Sequence, residues 1–362
     1  MVKAKVIDRI VEELKRKPQK KTTYISSSCS LLNLALTDDV NHGFEAGTVV
    51  TFTGESHTAK SLIAGSILAD MAYNTAFDDY DLIYMDSENG FKFEKEAFFG
   101  KLGAERIKEP DIKREDPSKP LTVQDMAIGI NKAIRSGKKF VYVVDSLDGL
   151  SSMEDVAKTD EVLSAYEDGK STTGSYNMSK PKFLSQFFPQ VAKPLSDMES
   201  IIITISQTRD NIGGLGGKTR SGGKALGFYA NTEVWLAPPF RNKAISKTVD
   251  GKEDDIGHRV SFKVKKNRLS GKPRDVTVSI LTNYGIDDLA TSLEWLAEYK
   301  FIDIKKIEIP EIDCVGNKDK VIRYIEDNNL ESTLKTYLQK CWDERESKLM
   351  PDRKPKFGGK NG

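Results

Sequence analysis

The stretch TGESHTAKS, residues 53–61, follows the apolar run 48–52 and precedes the helix-like stretch 62–71. Strand, loop and helix in that order give the shape of a phosphate-binding loop, and the match to G-x-x-x-x-G-K-[ST] fails at one position only. Gly54 is followed by Glu55, Ser56, His57 and Thr58, then Ala59 where a glycine is usual, then Lys60 and Ser61. In such a loop backbone N–H groups and the helix N-terminus surround the phosphates, the lysine reaches the β and γ oxygens, and the hydroxyl holds Mg²⁺. Glycine is favoured at the Ala59 position because it tolerates close approach and positive φ. A Gly/Ser-rich turn capping a core helix is the structural alternative to a nucleotide site.

At 362 residues the chain suits one large α/β domain with small appendages. A formal net charge of +1, from 55 Lys and Arg against 54 Asp and Glu, gives no overall attraction to nucleic acid, so any such contact has to be local. Residues 1–21 concentrate Lys3, Lys5, Arg9, Lys15, Arg16, Lys17, Lys20 and Lys21 against Asp8, Glu12 and Glu13. This basic arm reads either as a solvated helix face or as a docking or nucleic-acid surface. Cys29, Cys314 and Cys341 are far apart, without metal-ligand spacing, which fits a reducing cytoplasm better than a disulfide scaffold. No apolar run approaches the roughly 18 residues that span a bilayer, and no apolar signal core follows the basic start. A cytoplasmic chain with no membrane partner is expected.

Residues 6–14, VIDRIVEEL, have apolar positions at helical spacing and end before Pro18; a second short helix is expected over 31–36. From residue 48 apolar runs alternate with helices: VVTFTG, LIYMD at 82–86, FVYVVD at 140–145 and IIITIS at 201–206, with a crossover helix over 122–134. Short, nearly unbroken, β-branched runs fit strands buried on both faces of a parallel sheet, and ligands collect at the carboxyl ends of such strands. After the glycine-rich stretch GGLGGKTRSGG come strand-like runs at 232–236, 260–265 and 275–281, the last two reading as a hairpin at the sheet edge. Beyond Ser292 short helices and polar turns suggest a small lobe, and PDRKPKFGGKNG has the composition of a disordered tail.

Several strand ends carry polar residues with a chemical reading. Asp145, after VYVV, suits a carboxylate that orders Mg²⁺, though Asp and Ser146 also cap helices. Glu88, just past LIYMD, can accept a proton from and orient an attacking water, or be an exposed turn carboxylate. Gln207 opens the glycine-rich segment and can contact a γ-phosphate, so that the loop follows the nucleotide state. Arg209, Lys218, Arg220 and Lys224 around that segment suit single-stranded nucleic acid, or a plain surface loop. Lys266 and Arg268 lie in a dense basic turn that by spacing alone is only solvated.

In order, ISSSCSLLNLAL, GESHTAKS, MDSENG, VVDSLDGL, ISQTRDNIGG, SGGKALGFYAN and VKKNR make the chain resemble the RecA family of recombinases, its phage UvsX-like members in style. The resemblance covers about residues 24–289. It implies an α/β, RecA-type P-loop ATPase core with a mainly parallel central sheet over 46–290, a helical N-terminal arm over 1–45 used in polymerisation, and a small C-terminal lobe over 291–362. It implies ATP and Mg²⁺ as cofactors, bound by residues 54–61 with Asp145, and the metal held by Ser61 and Asp145. Glu88 becomes the catalytic base, Gln207 the γ-phosphate sensor that opens the second DNA-binding loop, and Lys266 with Arg268 a basic pair inserted into the neighbouring subunit's site, in the manner of an arginine finger.

The expected partners are single-stranded DNA, homologous duplex DNA and further copies of the chain in a helical filament that catalyses strand exchange. Two departures qualify the resemblance. Ala59 replaces glycine, which tunes ATP affinity or turnover, and residues 151–181 are longer and more polar than a first DNA-binding loop requires. Phe98 or Phe99 can pack on an adenine, a core position being the expectation for both. A hexameric RecA-fold helicase or motor and a nucleotide-gated DNA-binding protein with weak hydrolysis are the alternative functions.

Overall fold

The computed structural model describes residues 22–90, 95–168, 179–210, 218–220, 223–241 and 243–353. The expected helix over 6–14, most of the glycine-rich segment and residues 354–362 of the tail lie outside them. The first described elements are β1 (Tyr24–Ile25), α1 (Ser30–Thr37) and β2 (Phe44–Glu45), with β1 and β2 paired antiparallel. There follow β3 (Val49–Gly54), α2 (Lys60–Tyr73), β4 (Tyr80–Asp86), α3 (Lys95–Arg106), β5 (Ile107–Lys108), α4 (Val123–Arg135) and β6 (Lys139–Asp145). The chain continues through α5 (Met153–Glu167), α6 (Ser179–Met198), β7 (Ile201–Asp210), β8 (Lys218–Arg220), α7 (Gly223–Tyr229) and β9 (Thr232–Ala237). Then come β10 (Ala244–Val249), β11 (Lys252–Asn267), β12 (Arg274–Leu281), β13 (Gly285–Ile286) and α8 (Asp288–Glu298). The last elements are β14 (Ile307–Ile309), β15 (Ile312–Gly316), α9 (Lys318–Asp327) and α10 (Glu331–Leu349).

One large sheet runs in the order β13-β12-β11-β9-β3-β7-β6-β4-β5, with β10 on β11 and β8 on β7. From β9 to β5 neighbouring strands are parallel; β11, β12 and β13 add an antiparallel flank. This is the mainly parallel α/β core that the resemblance implied. The pleat sends alternate residues to opposite faces. In β6, Val141 and Val143 join the cluster that packs α1, α2 and the C-terminal helices, while Phe140, Tyr142 and Val144 join the cluster under α4 and α6. Burial on both faces is why these runs read as unbroken apolar segments.

The expected edge hairpin forms from β11 and β12, but β13 lies outside it, and β11 begins eight residues earlier than the run at 260 suggested. That extension pairs with β10 through a two-residue turn, Asp250-Gly251, whose φ values of 52° and 77° are those of a type I′ hairpin. The C-terminal elements share the main core. Trp295 and Trp342 pack with ring centroids 5.4 Å apart and planes tilted by 31°, and the Asp288 carboxylate accepts the backbone N–H (2.7 Å) and hydroxyl (2.6 Å) of Ser30, tying α8 to α1.

Candidate active site

Strand register decides which residues meet. Pairing of β3 sets Gly54 beside Gln207 of β7 on one side and Leu236 of β9 on the other, and pairing of β4 with β6 sets Asp86 beside Asp145. All five strands run the same way, so their carboxyl ends gather at one rim of the sheet, where a loop-to-helix turn can present its amides.

The turn after β3 is tight. A Cβ on Gly54 would stand 2.5 Å from the Leu236 carbonyl oxygen and 2.7 Å from Thr58 Oγ1, which only glycine avoids. Thr58 is buried and its hydroxyl donates to the Glu55 carbonyl (2.8 Å), closing the loop, while Glu55, Ser56 and His57 face solvent. His57 and Ala59 both take left-handed backbone, φ 62° and 60°. The N-cap position of α2 is Ala59, which makes no side-chain cap, and the first N–H groups of a helix are a general anion-binding feature.

Lys60 is buried and its ammonium donates to the Glu55 carbonyl at 2.5 Å. Burial pushes its pKa down, against the pull of the Asp145, Glu88 and Asp148 carboxylates. Asp145 is buried too, and burial pushes its carboxyl above the usual range despite hydrogen bonds from Ser61 and from the Tyr84 hydroxyl (2.5 Å). The Tyr84 hydroxyl is driven well up by its own burial beside that carboxylate.

Hydroxyl and carboxylate oxygens are the donors Mg²⁺ prefers, and Ser61 and Asp145 stand within hydrogen-bonding reach of each other. Among the described residues no group of three or more His, Cys, Asp or Glu side chains could hold a metal alone.

Beyond β4, Asp86 Oδ1 accepts the N–H groups of Glu88 (3.3 Å) and Gly90 (3.1 Å), which fixes the turn that projects Glu88. The Glu88 carboxylate accepts the Ser146 hydroxyl and the Gln207 Nε2 amide, at 3.2 and 3.4 Å from its two oxygens. Lys60, Ser61, Asp145, Glu88 and Gln207 are therefore neighbours. A cavity of about 400 Å³ opens beside the loop, lined by His57 to Leu62 and by Phe98, Leu281 and Thr282. Phe99 is buried in the core as expected, whereas Phe98 is half-buried and lines this cavity.

Lys266 and Arg268 also meet, but elsewhere: Lys266 Nζ donates to the carbonyls of Gly227 (2.7 Å) and Phe228 (3.2 Å), and Arg268 donates to Phe228 (2.9 Å). Both cations thus sit at the carbonyl end of α7, where the helix dipole favours positive charge. A bulge in the β11–β9 pairing between Val264 and Lys266 sets the direction of the lysine. Of the basic residues around the glycine-rich segment, Arg209 lies on β7, Lys218 and Arg220 on β8, and Lys224 on α7. Pairs Arg209–Thr219 and Thr208–Arg220 make β7 and β8 a hairpin stem.

Sequence reading passed over three residues of this site. Tyr84 looks like one more core aromatic in LIYMD, and only the register of β4 on β6 carries its hydroxyl to Asp145. Ser146 reads as a helix cap, yet it donates to Glu88. Asp148, three residues past Asp145 in VVDSLDGL, accepts the Gln207 backbone N–H (2.7 Å) and the Ser206 hydroxyl (3.2 Å). The spacing of two carboxylates around one strand end was the available signal.

Fold and loop together define an α/β protein organised around a strand, a phosphate-loop turn and a helix. The model of the RecA N-terminal domain matches residues 7–287, well over half of the sequence, and the chain belongs to the RecA family. Similar proteins include Protein RecA of Chlorobaculum parvum, 26% identical over 72% of this chain and 66% of the relative. Protein RecA of Chlamydia pneumoniae is 24% identical over 73% of this chain and 67% of its own length. A plasmid Protein RecA of Lactococcus lactis is 24% identical over 70% and 65%. The chain thus matches about two thirds of the length of these relatives.

Proposed function

We propose that this protein is an ATP-dependent recombinase that assembles as a helical filament on single-stranded DNA and exchanges strands with a homologous duplex. Membership of the RecA family supports recombination, ATP with Mg²⁺, and DNA in general terms. The observation that carries the finer reading is the meeting of Glu88, Gln207 and Asp145 beside Lys60 at one strand-end rim, with the stem of the glycine-rich segment growing directly from Gln207.

In this reading Lys60 and the amides of residues 54–61 bind the phosphates, and Ser61 with Asp145 holds Mg²⁺, which when bound neutralises charge on the transferring phosphoryl group. Glu88 accepts a proton from the attacking water and orients it. Gln207 transfers its amide from Glu88 to the nucleotide and so reports on the γ-phosphate. Arg209, Lys218, Arg220 and Lys224 contact the DNA backbone. Lys266 and Arg268 leave the α7 carbonyls to complete a neighbouring subunit's site, and Phe98 faces the adenine. Residues 1–45, 46–290 and 291–362 act as polymerisation arm, ATPase core and accessory lobe.

Turnover of ATP with and without single-stranded DNA tests this. The wild type is expected to hydrolyse ATP faster with DNA, Glu88→Gln to bind ATP but lose at least about a hundredfold in turnover, and Lys60→Ala to lose nucleotide binding. No turnover in the wild type would leave a nucleotide-gated DNA-binding protein. Electron microscopy with ATP and DNA separates the remaining reading, since closed rings would mean a hexameric motor.

A further inference from the structure

We infer that Asp148 is a positioning residue that pins the root of the glycine-rich segment to the catalytic rim and thereby aims the Gln207 amide. The inference rests on the nucleotide reading above and adds to it a residue with no assigned role. Three contacts converge on one turn. Asp148 Oδ2 accepts the backbone N–H of Gln207 at 2.7 Å and the hydroxyl of Ser206 at 3.2 Å, so the carboxylate grips the last two residues of β7 before its stem pairs with β8. Leu147 N–H donates to the Ile205 carbonyl at 2.9 Å, which binds the same turn to β7 one residue earlier. Gly149 then passes so close to Ser87 and Glu88 that a Cβ would stand 2.5 Å from Ser87 Oγ and 2.7 Å from Glu88 Cγ. Residues 146–149 therefore clamp the ends of β4 and β7 together.

The side chain of Gln207 rests on Glu88 while its backbone N–H is held by Asp148. An amide that must exchange Glu88 for a phosphate oxygen needs a fixed pivot, since a displacement of about 1 Å at a reacting group costs on the order of a hundredfold in rate. Asp148 supplies the pivot through a charge-assisted hydrogen bond to a backbone N–H. The carboxylate thus holds the base of the glycine-rich segment, and its loss lowers DNA-stimulated turnover without emptying the nucleotide pocket.

The test uses the full chain and the variants Asp148→Ala and Asp148→Asn, the latter keeping an acceptor for the Gln207 N–H. With ATP as probe, Asp148→Ala is expected to lower DNA-stimulated kcat by about tenfold or more while KM for ATP stays within about threefold, and Asp148→Asn to recover most of the loss. Hydrogen exchange on the nucleotide-free protein is expected to show faster exchange at Gln207 in Asp148→Ala than in Asp148→Asn, a readout independent of turnover. Wild-type stimulation with unchanged exchange in Asp148→Ala would overturn the inference alone. Equal losses in both variants with matching drops in melting temperature would reduce Asp148 to a structural residue. Absence of turnover in the wild type would instead overturn the nucleotide reading, and this inference with it.

Discussion

Ala59 carries the cost of an imperfect loop. Its φ of 60° and ψ of 24° lie in the left-handed region, where an L-residue with a Cβ pays about 1–2 kcal/mol. Glycine would relieve that strain and give back part of the gain through its freer unfolded chain, so Ala59→Gly is expected to stabilise the protein by about 0.5–1 kcal/mol in urea unfolding. It should also tighten ATP binding by calorimetry; a destabilised Ala59→Gly protein would show that the αL backbone is not strained. Asp145 provides a second residue-scale expectation. Burial holds its folded pKa above its unfolded value, so the folded state keeps the proton longer. The nucleotide-free protein therefore loses stability as pH rises from about 4 through the folded pKa. Asp145→Asn removes that cost: its melting temperature at neutral pH should equal or exceed that of the wild type, while Mg²⁺-dependent nucleotide binding disappears. A lower melting temperature without nucleotide would contradict the assignment of burial as the dominant cause.

At the scale of elements, the junction between sheet and C-terminal helices is held by Glu294 of α8, which accepts Arg259 of β11 through two nitrogens (2.9 and 2.8 Å), Lys318 of α9 (2.6 Å) and the Ser279 hydroxyl of β12 (2.9 Å). Burial alone would raise its pKa; the two cations hold it down to about 2. Its stabilising contribution is present above the unfolded value near 4.5 and is lost as pH falls toward 2. Glu294→Gln is expected to cost about 2–4 kcal/mol at pH 7 and much less near pH 3, which denaturant titrations at the two pH values check. Equal losses at both would mean packing, not charge, holds the junction. Elements of this kind differ in how far sequence discloses them. Strands β3, β4, β6 and β7 were legible because burial on both faces leaves unbroken apolar runs. Helix α6 was not, since Pro189 and Pro194 break the usual helical reading, although Leu184, Phe187, Phe188, Val191 and Leu195 keep its buried face. The β10–β11 hairpin was hidden because both strands are largely exposed there, so polar residues mask the alternation; Asp250-Gly251 was the one local signal. Lys60, Ser61, Glu88, Asp145 and Gln207 could be found at strand ends, whereas Tyr84, Ser146 and Asp148 join them through contacts made across strands.

For the whole molecule, the placement of Lys266 and Arg268 on the α7 carbonyls gives assembly a physical readout. If the pair serves a neighbouring subunit, Lys266→Ala should leave ATP binding by a lone subunit within about twofold of the wild type and abolish DNA-stimulated hydrolysis. Mixing Lys266→Ala with Glu88→Gln protein should restore partial turnover, because each supplies what the other lacks; no recovery would place the lysine's action within its own subunit. Family membership supports recombination broadly, and only an activity can establish the exchange of strands. The most direct measurement is therefore a strand-exchange assay with circular single-stranded DNA, a homologous linear duplex, ATP and Mg²⁺. Joint molecules that require homology and ATP and that vanish in Lys60→Ala are expected; unwinding of the duplex regardless of homology, or no joint molecules at all, would contradict the recombinase reading.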